Sequence, residues 1–504
     1  MKILFAAAEG HPFIKTGGLA DVIGALPKAL RAAGMDVRVI LPKYKGIAEK
    51  YRQAMQPVAV TTVPVGWRNQ YCGVEMLVHD GVPVYFIDNE YYFGRDGIYG
   101  YMDDGERFSF FNRAVLEVLP SIDFQPDVLH CHDWHAAVIP MLLEGHYRHN
   151  PFYSGMRTVF TIHNLLYQGV FPYEVLGNLL GLDSRYFNGV EYYGNVNFMK
   201  GGIVFSDWIT TVSPTYADEI RTSHYGYGLD GLLNARADRL SGIVNGIDTK
   251  MYNPQSDSQI YVKYRNNLAK KTENKLGLQQ ELGLPIAPHI PLIGMVTRLV
   301  DSKGLDLVTR ILDELLYFDT LQFVILGTGD EHYERWFREA AWRYPTKLSS
   351  QITFSDALSR KIYAGSDLFL MPSKFEPCGI SQLLALRYGS IPIVRETGGL
   401  NDTVHSYNEF TGEGNGFTFH DYNAHDMMYT IRRAASFYAQ PEHWKKVTRN
   451  AFAGDYSWGV SAQQYIDIYD HITGRTETSL AAEEPEAPDA AVVPQPEQEV
   501  PGEI

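Results

Sequence analysis

Residues 15–21 lie between an apolar run and a helical one and read Lys15-Thr16-Gly17-Gly18-Leu19-Ala20-Asp21, residue types that suit an anion. Paired glycines let backbone N–H groups approach a ligand closely, the start of a helix adds partial positive charge, and Lys15 adds a full one. A phosphate is the ligand such a loop would take. The spacing is neither G-x-x-x-x-G-K-[ST] nor G-x-G-x-x-G, so neither the P-loop nor the dinucleotide fingerprint applies. A tight turn carrying a solvated lysine would read the same way. Arg298 and Lys303 border a second strand–turn unit and can reach one crevice; in an unrelated α/β protein the same pair would be surface charge. Glu376 follows a buried strand ending at Met371, where a carboxylate can accept hydrogen bonds from a ligand's vicinal hydroxyls. Cys378 has no histidine near it in its motif, and a helix start accounts for a small residue there, so a thiol nucleophile is not expected. His163 closes another buried strand, a place where a histidine is commonly structural. His130, His132 and His135 would need converging geometry and usually a fourth ligand to hold zinc, and nothing in the sequence supplies it, so no metal is expected.

The elements that must position these residues alternate strand and helix. Residues 2–9 form a strand, 19–33 a helix ending at Gly34, and 36–41 a second strand, which makes a βαβ unit whose loop lies at the strands' carboxyl edge. Residues 127–130 and 158–162 read as buried strands ending in His-rich turns. The alternation resumes with strands at 291–297, 321–326, 351–354, 367–371 and 391–395 and a helix at 305–316. Two doubly wound α/β halves are expected, 1–241 and 242–455, with ligands in the crevice between them. The helical stretch within 456–475 has no strand partner and is expected to pack back on the first half. Tyr91, Tyr92, Phe93, Tyr99 and Tyr101 form an aromatic-rich loop that either packs on sugar C–H faces or anchors itself.

A chain of 504 residues exceeds what one hydrophobic core supports, and its 45% hydrophobic content is ample for two. The apolar start ends at Glu9 after six residues, which argues against a signal peptide, and no run is long enough to span a membrane. Three cysteines, widely spaced and odd in number, suggest neither a disulfide framework nor a zinc site and fit a reducing cytoplasm. The formal charge is -15, of which residues 476–504 supply -8 with five prolines and no lysine or arginine. That segment is expected to be a disordered acidic tail, and the charge balance disfavours nucleic acid as a partner.

The KTGGLADV run resembles the N-terminal motif of bacterial glycogen synthases and plant starch synthases. Further motifs follow in that family's order: His130-Cys131-His132-Asp133-Trp134-His135, Thr161-Ile162-His163-Asn164, Asn245-Gly246-Ile247-Asp248, Arg298 with Lys303-Gly304, and Phe375-Glu376-Pro377-Cys378-Gly379. The resemblance covers about residues 1–475 and implies two facing Rossmann-like domains, the GT-B glycosyltransferase fold, with the active site in the interdomain cleft. It also implies retaining transfer of glucose from ADP-glucose to the nonreducing 4-hydroxyl of an α-1,4-glucan such as glycogen. It assigns Arg298 and Lys303 to the donor phosphates together with the Lys15, Gly17, Gly18 and Asp21 loop. Glu376 would hold the transferred glucose, with the Cys378-Gly379 backbone cradling it. Ser381, where many relatives have threonine, can donate to a phosphate oxygen. His163 would touch the sugar 6-hydroxyl, Asn245 the glucose hydroxyls, and Asp133 would orient the catalytic loops. Phe354 stands where several relatives have an adenine-stacking tyrosine, keeping the aromatic face and losing the phenol. The family needs neither metal nor pyridoxal phosphate. A glucan phosphorylase, which carries pyridoxal phosphate on a lysine, and a silent glucan-binding protein are the rival readings.

Overall fold

Apolar strands flanked by amphipathic helices build two large, mostly parallel sheets in the computed structural model, which describes residues 1–475. The expected acidic tail, 476–504, lies outside the described residues. The first sheet runs, edge to edge, Leu240–Gly242, Trp208–Thr211, Arg157–Ile162, Val128–His132, Lys2–Ala6, Asp36–Pro42, Val82–Asp88, Arg68–His79 and Gln56–Val65. Its pairings are parallel as far as Val82–Asp88, and the last two strands are added antiparallel. The second sheet runs Leu348–Gln351, Gln322–Leu326, Leu292–Val296, Leu368–Met371, Ile391–Arg395 and Phe417–Phe419, all parallel.

A parallel sheet covered on both faces needs apolar residues on both sides of each strand. Gln322–Leu326 meets that need: Phe323 and Ile325 enter one core, Val324 and Leu326 the other. The helix Leu305–Phe318 turns Leu305, Val308, Leu312 and Leu315 to the core, a three-to-four-residue spacing that makes one apolar stripe. One expected strand is displaced. Residues 351–354 are not a strand; the strand is Leu348–Gln351, and Phe354 sits in the loop before the helix Asp356–Gly365, whose cap is Ser355. The polar Ser349, Ser350 and Gln351 disguise the strand in the sequence.

The chain crosses between the sheets twice, and the two crossings run side by side. Ile247 N donates to Tyr456 O at 2.8 Å. A Cβ on Gly246 would lie 2.6 Å from Ser457 C and Trp458 N, so this close approach requires glycine. The terminal helix Trp458–Thr473 then returns to the first lobe, where Tyr465 and Tyr469 are wholly buried in its core. No helix among the described residues is long and apolar enough to cross a membrane. Cys72, Cys131 and Cys378 are free and buried.

Candidate active site

The sequence-predicted polar residues lie in the strands' carboxyl ends or in the loops and helix starts that follow them. In the first lobe the Gly-rich loop is organised by Glu9, a buried carboxylate that the sequence reading passed over as merely ending an apolar run. Its Oε2 accepts from the amides of Thr16 and, at 3.3 Å, Gly17; its Oε1 accepts from Thr16 Oγ1 at 2.9 Å and Tyr99 Oη at 3.0 Å. The Gly17 amide is therefore already engaged. Gly18, the first residue of the helix Gly18–Ala32, keeps an amide with no acceptor among the described residues. Lys15 Nζ meets Asp21 Oδ1 at 2.6 Å and remains 43% exposed, so the cation can turn toward a ligand.

In the second lobe the expected phosphate cation and the expected sugar ligand are in direct contact. Lys303 Nζ donates to Glu376 Oε2 at 2.6 Å, and Ser373 Oγ donates to the same oxygen at 3.0 Å. Glu376 Oε1 is left to accept from something else. The pair is held by backbone: Gly304 adopts φ 71°, and a Cβ there would fall 2.0 Å from Pro372 O. Lys374 N also donates to Ser302 O at 2.9 Å. Arg298 is exposed, and its guanidinium has no partner among the described residues.

The two lobes touch at the turn that follows Glu376. A Cβ on Gly18 would lie 4.0 Å from Ile380 Cδ1, next to Gly379 with its φ of 75°. Cys378 joins the first lobe's core and faces Asn245; burial pushes its thiol up to about 12, against hydrogen bonds from Asn245, so it is no thiolate. Asn245 Oδ1 is a buried acceptor without a partner among the described residues. Tyr363 Oη donates to Ser381 Oγ at 3.2 Å, and burial raises that phenol's pKa, with Asp21 of the opposite lobe adding to the effect. Phe354 is 88% exposed and contacts no other ring among the described residues.

Asp133 and the histidines sit at or near the ends of first-lobe strands. Asp133 has φ 55°, a conformation that favours glycine and stores strain in this turn. Its Oδ1 accepts from His163 N at 2.8 Å, fixing the backbone of His163. Burial pushes the Asp133 carboxyl up to about 7, against the backbone donors of His163 and Asn164. Burial likewise pushes His163 down to about 3, so it is a neutral hydrogen-bonding group. Its Nε2 meets His132 Nδ1 at 2.9 Å. His130 turns the other way, to Tyr469 Oη at 2.7 Å and Thr161 Oγ1 at 2.6 Å. Among the described residues no group of three or more His, Cys, Asp or Glu could hold a metal ion.

Beside Asp133 an open groove of about 550 Å³ is lined by Trp134, Tyr101, Tyr167, Phe171, Tyr192 and Tyr227. Of the aromatic loop seen in the sequence, Tyr101 joins this groove, whereas Tyr92 and Phe93 are buried anchors. Trp134 belongs to the His130–His135 motif; the groove's other rings come from segments distant in sequence and had no local signal.

Residues 2–235 match the family model described as the starch synthase catalytic domain, and residues 284–451 match glycosyl transferases group 1. A glycogen synthase of Geobacillus thermodenitrificans is 59% identical over 95% of this chain and 99% of that protein. One from Desulforamulus reducens is 57% identical over 93% of this chain and 98% of its own. The solved catalytic domain of starch synthase IV from Arabidopsis thaliana, bound to ADP and acarbose, superposes with a TM-score of 0.87 at 37% identity, covering 94% of this chain and 99% of that one. Sucrose-phosphate synthase from Thermosynechococcus elongatus shares the fold, with a TM-score of 0.60 at 15% identity over 94% of this chain and 99% of that one.

Proposed function

This chain belongs to the glycogen and starch synthase family of glycosyltransferases, and on that premise we propose that its donor is ADP-glucose, used with retention at the nonreducing 4-hydroxyl of an α-1,4-glucan. It is a glycosyltransferase that makes glycogen, on a GT-B fold. The observation that carries the proposal is the Lys303–Glu376 pair, one cation and one carboxylate side by side at the strand ends of the second lobe.

As the anomeric C–O bond breaks, negative charge grows on the departing diphosphate. Fixed positive groups and amides aimed at that charge lower the barrier. Lys303 and the unpaired Arg298 supply the charge from one lobe, Lys15 and the Gly18 amide from the other. Glu376 Oε1 and the unpartnered Asn245 Oδ1 are acceptors suited to glucose hydroxyls. The neutral His163 suits the 6-hydroxyl, and its carbonyl, held by Asp133, suits the carbon where positive charge develops. The acceptor 4-hydroxyl attacks C1 on the face the diphosphate leaves and passes its proton to a phosphate oxygen, which balances the step without a metal or pyridoxal phosphate. An α-glucan lying in the aromatic groove would stack its C–H faces there. The adenine would rest on Phe354, and the three free buried cysteines suit the cytoplasm.

Glucosyl incorporation into glycogen from ADP-glucose and UDP-glucose, measured side by side with and without EDTA, tests this. The expected result is faster transfer from ADP-glucose, undiminished by EDTA. Equal or faster transfer from UDP-glucose would overturn the donor assignment.

A further inference from the structure

The lobes also meet through two short helices, Pro214–Glu219 from the first and Gly398–Thr403 from the second. Each places a carboxylate against the other's opening amides. Asp402 Oδ2 accepts from Thr215 N at 3.0 Å and Oδ1 from Thr215 Oγ1 at 2.6 Å. In return Glu219 Oε1 accepts from Gly398 N at 3.0 Å and Thr397 Oγ1 at 2.8 Å. Charge-assisted bonds of this kind are roughly twice as strong as neutral ones. Glu219 Oε2 is buried with no partner among the described residues, an unfavourable arrangement that the rest of the contact must offset.

What Glu219 grips is the loop that holds the Glu376 turn. Gly399 N donates to Glu376 O at 3.2 Å and Pro377 O at 3.0 Å. A Cβ on Gly398 would lie 2.1 Å from Glu376 O, so this loop and the Glu376 backbone cannot shift independently. A continuous path thus runs from Glu219, across the lobe boundary, through Thr397–Gly399 to Glu376 and its partner Lys303.

We propose that Glu219 and Asp402 form an interlobe latch that couples closure of the cleft to placement of the Glu376 turn. They are positioning residues and act through the loop. The kinetic part rests on the proposed function; the closure part rests on geometry alone. Glu219→Ala and Asp402→Ala are each expected to lower kcat/KM for ADP-glucose by about 10- to 100-fold, the range for losing a charge-assisted hydrogen bond. Both should also raise the radius of gyration seen by small-angle X-ray scattering in saturating ADP. Glu219→Gln keeps an oxygen for Gly398 and Thr397 and should hold kcat/KM within about threefold of the parent and the radius unchanged. A residue that only stabilised the fold would lower the melting temperature without opening the molecule. Alanine variants that stay as compact as the parent and keep its kcat/KM overturn the latch. A parent chain that transfers nothing from ADP-glucose, while its alanine variants still open, would instead overturn the donor assignment and leave the latch standing.

Discussion

Lys303→Ala is expected to lower kcat by about two to three orders of magnitude, the usual loss when one preorganised group facing transition-state charge is removed. Two effects combine. The diphosphate loses a cation, and Glu376 loses the donor that fixes its Oε2, leaving Ser373 alone to orient the carboxylate. The side chains are 20% and 11% exposed, so water reaches the vacated position and stability should fall by only about 1–3 kcal/mol. Glu376→Ala should be at least as damaging to kcat. Because the two residues act as one pair, the double variant should be far less impaired than the product of the single losses. Steady-state kinetics on the three variants, with denaturant unfolding alongside, checks this; parental turnover in Lys303→Ala would contradict it.

Acid should unfold the protein early. His130, His132, His135 and His163 are all buried, and burial holds the pKa of each below the ordinary histidine value, with neighbouring histidines adding for His130 and His132 and Arg107 for His135. Above about pH 6.5 these rings are neutral whether the chain is folded or not, and they cost nothing. Below that the unfolded chain binds protons that the folded chain refuses, so stability falls as pH drops toward about 3, where His163 itself protonates. Each histidine contributes up to about 1.4 kcal/mol per pH unit. Asp133 works in the opposite sense: with its carboxyl near 7, the folded state keeps a proton the unfolded state releases, so its contribution grows as pH falls from 7 to about 4. Four groups outweigh one, and the net expectation is a steep loss between pH 6 and about 4. Urea unfolding across pH 8 to 4 measures it, and His132→Phe should flatten the slope by about one proton. Stability that is level from pH 7 to 5 would contradict the neutral-histidine cluster.

Much of the fold was legible because its signals are local. The apolar strands Lys2–Ala6 and Ile391–Arg395 and the stripe of Leu305–Phe318 announce themselves over a few residues. The antiparallel extension of the first sheet did not. Gln56–Val65 carries two prolines and exposes half its residues, as an edge strand does, and so lacks the pattern of a buried one. The motifs likewise named candidate residues, but not their pairings. Lys303 and Glu376 are 73 residues apart, and Glu219 lies 179 from Gly398. Glu9 had a faint signal, a lone acid closing an apolar run, yet its use in fixing Thr16 and Gly17 depends on the loop folding back over it.

A structure of the protein with ADP bound bears most directly on the idea that both lobes neutralise the departing diphosphate. The account predicts phosphate oxygens within hydrogen-bond distance of Lys15 Nζ on one side and of Arg298 and Lys303 on the other, with Lys15 released from Asp21. A diphosphate held by one lobe only, with the Lys15–Asp21 pair intact, would contradict it.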